Sequence, residues 1–310
     1  MRRMWLKKED TGAIWDVMPQ NPYLTEGGCF FAHPEGLGYE QDISQKQVNV
    51  DYFINEIKSK NHSISVEAYF NGNQHLANFV DFIGDFSEQF NLYYSPDGSI
   101  EPDDMISKPY YKPVVISNFE RGEMNSAGFI VCKISFTAQS DVWKKDYVYS
   151  VQTSESVATM EQLQYPYVYP YTFEGDNLVA IIIENNGRET GCEITIKNLS
   201  SSSRITNPGW AVERTIVDKY GNEIKEVQKG VFYVSLGEND AVYVNSMDTA
   251  QEAKYIHSDN SSESIVSLQE PSWDYINFVR LKHGTNRFIL NIPNIDALVS
   301  IGYSELKEII

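Results

Sequence analysis

Ile64-Ser65-Val66-Glu67-Ala68-Tyr69-Phe70 runs through Asn71-Gly72-Asn73 into His75-Leu76-Ala77-Asn78-Phe79-Val80-Asp81-Phe82-Ile83-Gly84-Asp85-Phe86. The first seven residues alternate. Ile64, Val66, Ala68 and Phe70 share one face, with Ser65, Glu67 and Tyr69 opposite. Period two over a short segment is a strand with one buried side. The period then changes: Leu76, Phe79, Val80, Ile83 and Phe86 stand at i, i+3, i+4, i+7 and i+10, the stripe of an amphipathic helix. The spacing predicts one helix near residues 74–87, with Asn71-Gly72-Asn73 able to supply its cap.

Elsewhere in the chain alternation recurs and helical spacing does not. Ile130, Cys132, Ile134 and Phe136 share a face, as do Ile194 and Ile196, Phe232 and Val234, and Phe288, Leu290 and Ile292. Turn formers separate the runs: Pro96-Asp97-Gly98, Asn185-Asn186-Gly187, Tyr220-Gly221-Asn222 and Gly237-Glu238-Asn239-Asp240. With 20 Tyr, 15 Phe and 5 Trp, the chain is rich in residues that suit pleated, half-buried surfaces. The fold class expected is mostly β, with two β-sandwich domains, the second a sandwich or jelly roll. The first spans 1–145 and carries the helix; 146–177 is an extended linker containing Tyr165-Pro166-Tyr167-Val168-Tyr169-Pro170-Tyr171; the second spans 178–292, with roughly eight short strands. Residues 293–310 hold a further strand able to return to either domain.

Charge excludes several functions. The 310 residues carry 25 basic and 43 acidic side chains, a net −18, shared evenly between the halves. A dedicated nucleic-acid binder needs a basic face to release counterions. Docking on anionic lipid needs one as well. No apolar stretch of signal-peptide length follows Met1-Arg2-Arg3-Met4, so secretion is not indicated, and no run approaches a membrane span. Cys29, Cys132 and Cys192 are widely spaced and odd in number, which fits reduced core residues better than a disulfide frame or a zinc site.

Chemistry-bearing motifs are sparse. There is no nucleophile elbow, phosphate loop or dinucleotide fingerprint. His33, His62, His75, His257 and His283 lie far apart, so no metal site is expected. Asp97, Glu101, Asp103 and Asp104 form an acidic loop without the glycine and terminal glutamate of an EF-hand. Trp210-Ala211-Val212-Glu213-Arg214 resembles the W-x-x-E-x-R sugar strand of galectins. Here, however, Glu213 and Arg214 are consecutive and point to opposite faces, so a structural strand with a buried Trp is the better reading. No catalytic residue and no cofactor are expected.

The order of these segments resembles that of distal tail proteins, the baseplate and tail-tip components of long-tailed phages of Gram-positive bacteria. In the first half the resemblance rests on Gly12-Ala13-Ile14-Trp15-Asp16-Val17, on Glu35-Gly36-Leu37-Gly38-Tyr39, and on the helix leading into Leu92-Tyr93-Tyr94. In the second half it rests on Ile183-Glu184-Asn185-Asn186-Gly187, Ile194-Thr195-Ile196 and Asn207-Pro208-Gly209-Trp210. Trp273-Asp274-Tyr275-Ile276-Asn277-Phe278 and Leu281-Lys282-His283-Gly284-Thr285-Asn286 complete it. The resemblance implies an N-terminal sandwich assembling as a ring, expected to be a hexamer, that continues the tail tube. It also implies a galectin-like second domain serving as attachment platform. The implied partners are further copies of the chain, the tail tube protein, the tail hub, and baseplate or receptor-binding proteins. DNA would pass through an acidic lumen without being bound. The implied location is the virion tail tip, after synthesis in the host cytoplasm.

Phe30, Phe31 and Leu37, set beside glycines in a loop too apolar for a solvated tip, are expected at the ring interface. The competing reading makes them one more core strand. An alternative function is a carbohydrate-binding module for a cell-surface glycan, supported by the tyrosines of the linker; a secreted hydrolase is weaker still.

Overall fold

A computed structural model describes residues 3–17, 28–38, 40–48, 51–59, 63–96, 109–153, 179–217, 223–248, 250–272, 276–292 and 296–310. The Pro96 turn beyond its first residue, the acidic loop at 97–104, the tyrosine-rich linker and Tyr220-Gly221-Asn222 therefore lie outside the described residues. The chain divides into two compact units: Met1–Lys145 with Lys307–Ile310, and Asp146–Leu306.

The first unit contains β1 (Arg3–Lys8), β2 (Ile14–Asp16), β3 (Cys29–Glu35), β4 (Gln41–Val48), β5 (Asp51–Ser59), β6 (Ser63–Asn71), helix α1 (Asn73–Ile83), β7 (Gln89–Ser95), β8 (Tyr110–Met124) and β9 (Phe129–Ala138). It also contains the start of β10 (Trp143–Thr153), whose residues 146–153 are thus strand where a linker was expected. Antiparallel pairing runs β2-β1-β7-β8-β9-β6-β3. The long β8 serves both halves of this order. Tyr110–Val115 pairs with β7, and after a register shift between Ile116 and Asn118 the strand continues along β9. A bulge of this kind bends a sheet. Val17 then joins the two ends: its N–H donates to Met4 O (3.1 Å) and its carbonyl accepts from Phe31 N–H (2.7 Å).

The deciding stretch folds as its periods dictate. Ile64, Val66, Ala68 and Phe70 are buried, and Leu76, Phe79 and Ile83 face the same core. Phe79 sits among Trp15, Phe31, Phe70 and Phe82, with ring centroids 5.2–6.4 Å away. Such a cluster buries large apolar area in edge and offset contacts. The helix is shorter than expected. It stops at Gly84, whose positive φ (67°) lets its N–H close on Val80 O. Phe86 therefore falls in the following turn, 41% exposed, with its edge on Phe119. Gly72 is the cap residue, without a side-chain bond.

The second unit holds β11 (Val179–Asn185), β12 (Thr190–Asn198), β13 (Ile205–Thr206), β14 (Gly209–Val217), β15 (Glu223–Val231), β16 (Ser235–Leu236), β17 (Ala241–Asn245), β18 (Glu252–Ile256), β19 (Ser262–Ser264), β20 (Arg280–Leu281), β21 (Gly284–Asn291) and most of β22 (Ala297–Lys307). One sheet is β11-β21-β14-β15; the other runs β19-β18-β17-β12-β22-β10. Between them lie Ile181, Ile183, Trp210, Val212, Phe288 and Leu290 from the first sheet, and Ile194, Ile196, Val242, Val244, Val299 and Ile301 from the second. This is a two-layer sandwich. The alternation at Phe232–Val234 does not form a strand. Val234 N–H turns back onto Phe232 O (2.9 Å), and only Phe232 bridges, to Gln269.

Candidate assembly surfaces and a charged cleft

β3 separates the three expected interface residues. Its pleat points Cys29 and Phe31 inward, and Phe31 is only 1% exposed, in contact with Phe79 and Phe136. Phe31 is therefore a core residue, and the core-strand reading holds for it. A neighbouring molecule could not reach its ring. Phe30 points the other way, half-buried, stacked on Tyr69 at 4.7 Å and edge-on to Phe129 at 5.8 Å. Leu37 packs partly against the core, and its carbonyl accepts from Trp143 Nε1 at 3.1 Å. The loop carrying it needs glycine. Gly36 has φ +77°, and a Cβ there would meet Ser63 O at 2.2 Å. Beside Phe30, Glu67 accepts from the Tyr69 hydroxyl (3.0 Å) and lies 3.2 Å from His33 Nδ1. Those hydrogen bonds, first from His33 and then from Tyr69, hold its carboxyl below the usual range.

The hairpin β4–β5 gave no signal in the sequence. Its strands pair along their whole length, Gln41 with Ser59 through to Val48 with Asp51, with a bulge after Ser44. Among the described strands they pair only with each other. Every described side chain on the hairpin is exposed, including Ile43 (48%) and Ile54 (57%). A two-stranded ribbon that no third strand or helix supports is marginal in water.

In the second unit the turn motifs prove to be hydrogen-bond hubs. Asn185 Nδ2 donates to Arg188 O and Leu281 O while its Oδ1 accepts from Gly187 N–H. Asn198 does the same with Ser203 O, Leu236 O and Ser200 N–H, and Asn286 with Lys282 O, Gly284 O and Lys282 N–H. All three asparagines are buried, and each satisfies loop backbone that would otherwise be stranded away from water.

Around the hub at Asn286 lies a half-open cleft of about 570 Å³, lined by Ile182, Glu213, Arg214, Thr215, Lys225, His283, Gly284, Thr285 and Arg287. Register brings its charges together. Glu213 stands directly opposite Arg287 on β21, and Lys225 lies one diagonal away on β15. Arg287 Nη1 reaches Glu213 Oε2 at 2.9 Å, and Lys225 Nζ reaches Oε1 at 2.7 Å. Arg214 turns elsewhere, donating to His283 O at 2.6 Å. Trp210 is 2% exposed, a structural residue as expected, and its ring lies against Gly230, where a Cβ would sit 2.6 Å from it.

Neither unit assembles a metal site among the described residues. No group of His, Cys, Asp or Glu there could hold an ion. The three cysteines are free and buried; burial raises the Cys29 thiol well above its usual range and pushes Cys192 up to about 12. Such thiols are inert. No helix among the described residues is long and apolar enough to cross a membrane.

Comparison with known proteins agrees with this architecture. Residues 17–139 match the family model described as the distal tail protein N-terminal domain. No curated protein matches the chain by sequence. A chain of the phage P2 baseplate, solved in its activated conformation with calcium, is 14% identical over the whole of both chains, with a TM-score of 0.54. The SPP1 Dit protein is 13% identical over 98% of each chain, with a TM-score of 0.53. The fold of the two units is therefore that of these phage proteins. Residues 17–139 therefore carry a distal tail protein N-terminal domain, and over its whole length the chain is similar in fold to bacteriophage baseplate and tail proteins.

Proposed function

We propose that six copies of this chain close into a ring that continues the tail tube and serves as attachment platform for baseplate or receptor-binding proteins. The observation that carries this reading is the β4–β5 hairpin, a long ribbon paired only with itself among the described strands and exposed at every described side chain. A closed ring is a heterologous assembly: each protomer offers one patch and receives another. The hairpin is a natural donor patch. Covering the half-exposed Ile43 and Ile54 on a neighbour would stabilise each contact by about 2 kcal/mol or more. The exposed edges of Phe30, Tyr69 and Phe129, with Leu37, are the receiving surface in this proposal.

The role is structural and non-catalytic, at the virion tail tip. The tail tube protein and tail hub would lie above and below. Net −18 suits a lumen through which DNA passes without adhering, because like charge offers no counterion release. The test is solution mass by light scattering after size exclusion, with negative-stain images of the same peak. A ring of six with a central hole is expected; a smaller closed species would count against it.

A further inference from the structure

The cleft on the outer face of β11-β21-β14-β15 has a charge pattern that a purely structural sheet does not need. Among the described lining residues, three cations, Arg214, Lys225 and Arg287, stand with one carboxylate, Glu213, in a chain whose excess charge is strongly negative. Its volume, about 570 Å³, falls in the range of small-ligand clefts. Among the described residues the remaining side chains in the lining are Ile182, Thr215, Thr285 and His283, with no Phe, Tyr or Trp to stack a neutral sugar ring or a base. What these residues offer a ligand is charge and hydrogen bonds.

Glu213 narrows the choice. Fixed between Arg287 and Lys225, it repels a bare polyanion that would approach those cations. It suits a ligand whose hydroxyl donors sit beside its negative charge. We propose that this cleft binds a saccharide bearing a carboxylate or a phosphate. The anionic group sits on Lys225 and Arg287, and neighbouring sugar hydroxyls donate to Glu213. Lys225 is 59% exposed on an edge strand and can turn from Glu213 to the ligand. The inference does not depend on the ring: it concerns one protomer's second unit.

Calorimetric titration of the full chain tests it, with trigalacturonic acid, glucose 1-phosphate, neutral galactotriose and polyglutamate as probes. The sugar acid or the sugar phosphate should bind, and whichever binds tighter identifies the anionic group. Binding should weaken about tenfold when salt rises from about 0.05 to 0.3 M. Lys225→Gln, at an exposed site that leaves folding intact, and Arg287→Gln should each weaken it at least about fivefold. Glu213→Gln should weaken sugar binding and admit polyglutamate. Equal binding of galactotriose, tighter binding of polyglutamate by the unaltered chain, unchanged affinity in Lys225→Gln, or no binding of either charged sugar would each overturn the proposal.

Discussion

The two hairpins β4–β5 and β14–β15 have nearly the same length and opposite circumstances. β14–β15 pairs over nine residues, and β14 also pairs with β21. Its inner face buries Trp210 and Val212 in the sandwich core, with Gly230 recessed under the indole. β4–β5 pairs over eight positions and shows exposed side chains throughout its described residues. One ribbon is held by its own unit; the other pairs only with itself among the described strands and shows no buried side chain among those described. Backbone pairing is common to both, so burial is what separates them. The unsupported ribbon is then the place where a second copy has most to contribute.

The largest effect should come from removing the unsupported ribbon. Replacing residues 41–59 by a short Gly-Ser linker should abolish the ring on size exclusion while circular dichroism still reports a folded monomer. Breaking the supported ribbon should do the reverse. Trp210→Ala should cost about 3–5 kcal/mol in urea unfolding, through the cavity left in the second unit. Asn198→Ala should follow at about 2–4 kcal/mol by the same assay, because three backbone groups, two of them in buried bonds, lose their partner at once.

A stabilising change in the scaffold sharpens the contrast. Lys112 on β8 is fully buried, 5.1 Å from the Trp143 ring, and burial lowers its pKa to about 8, with Asp141 opposing. Between pH 8 and 10.5 the unfolded chain keeps a proton that the fold releases, so stability should rise with pH across that window. Lys112→Met should raise stability at pH 7 by about 1–3 kcal/mol, remove that rise, and leave the ring mass unchanged. The smallest effect on folding belongs to Ile43→Ser with Ile54→Ser, within about 0.5 kcal/mol for the monomer.

How much of this was legible in the sequence follows the same division. Where a segment buries one face of its own unit, its period shows it: Ile64–Phe70, the stripe Leu76, Phe79 and Ile83, and the buried cysteines could all be read directly. From Gln41 to Lys46 every side chain is exposed, so no buried face marks the strand in the sequence. Phe30 and Phe31 look alike in sequence, and only the pleat tells which faces the core. Asn185 reads as a turn former, but its partner Leu281 is 96 residues away. The pairing of Glu213 with Arg287 depends on sheet register, which neighbouring residues do not encode, and the adjacent Arg214 drew attention to the wrong guanidinium.

The most direct test is the solution mass of the unaltered chain beside that of the Ile43→Ser/Ile54→Ser variant, by light scattering across the size-exclusion peak. The account predicts six chains for the first and one folded chain for the second. A variant that keeps the full ring mass would contradict the assignment of the ring contact to the β4–β5 hairpin.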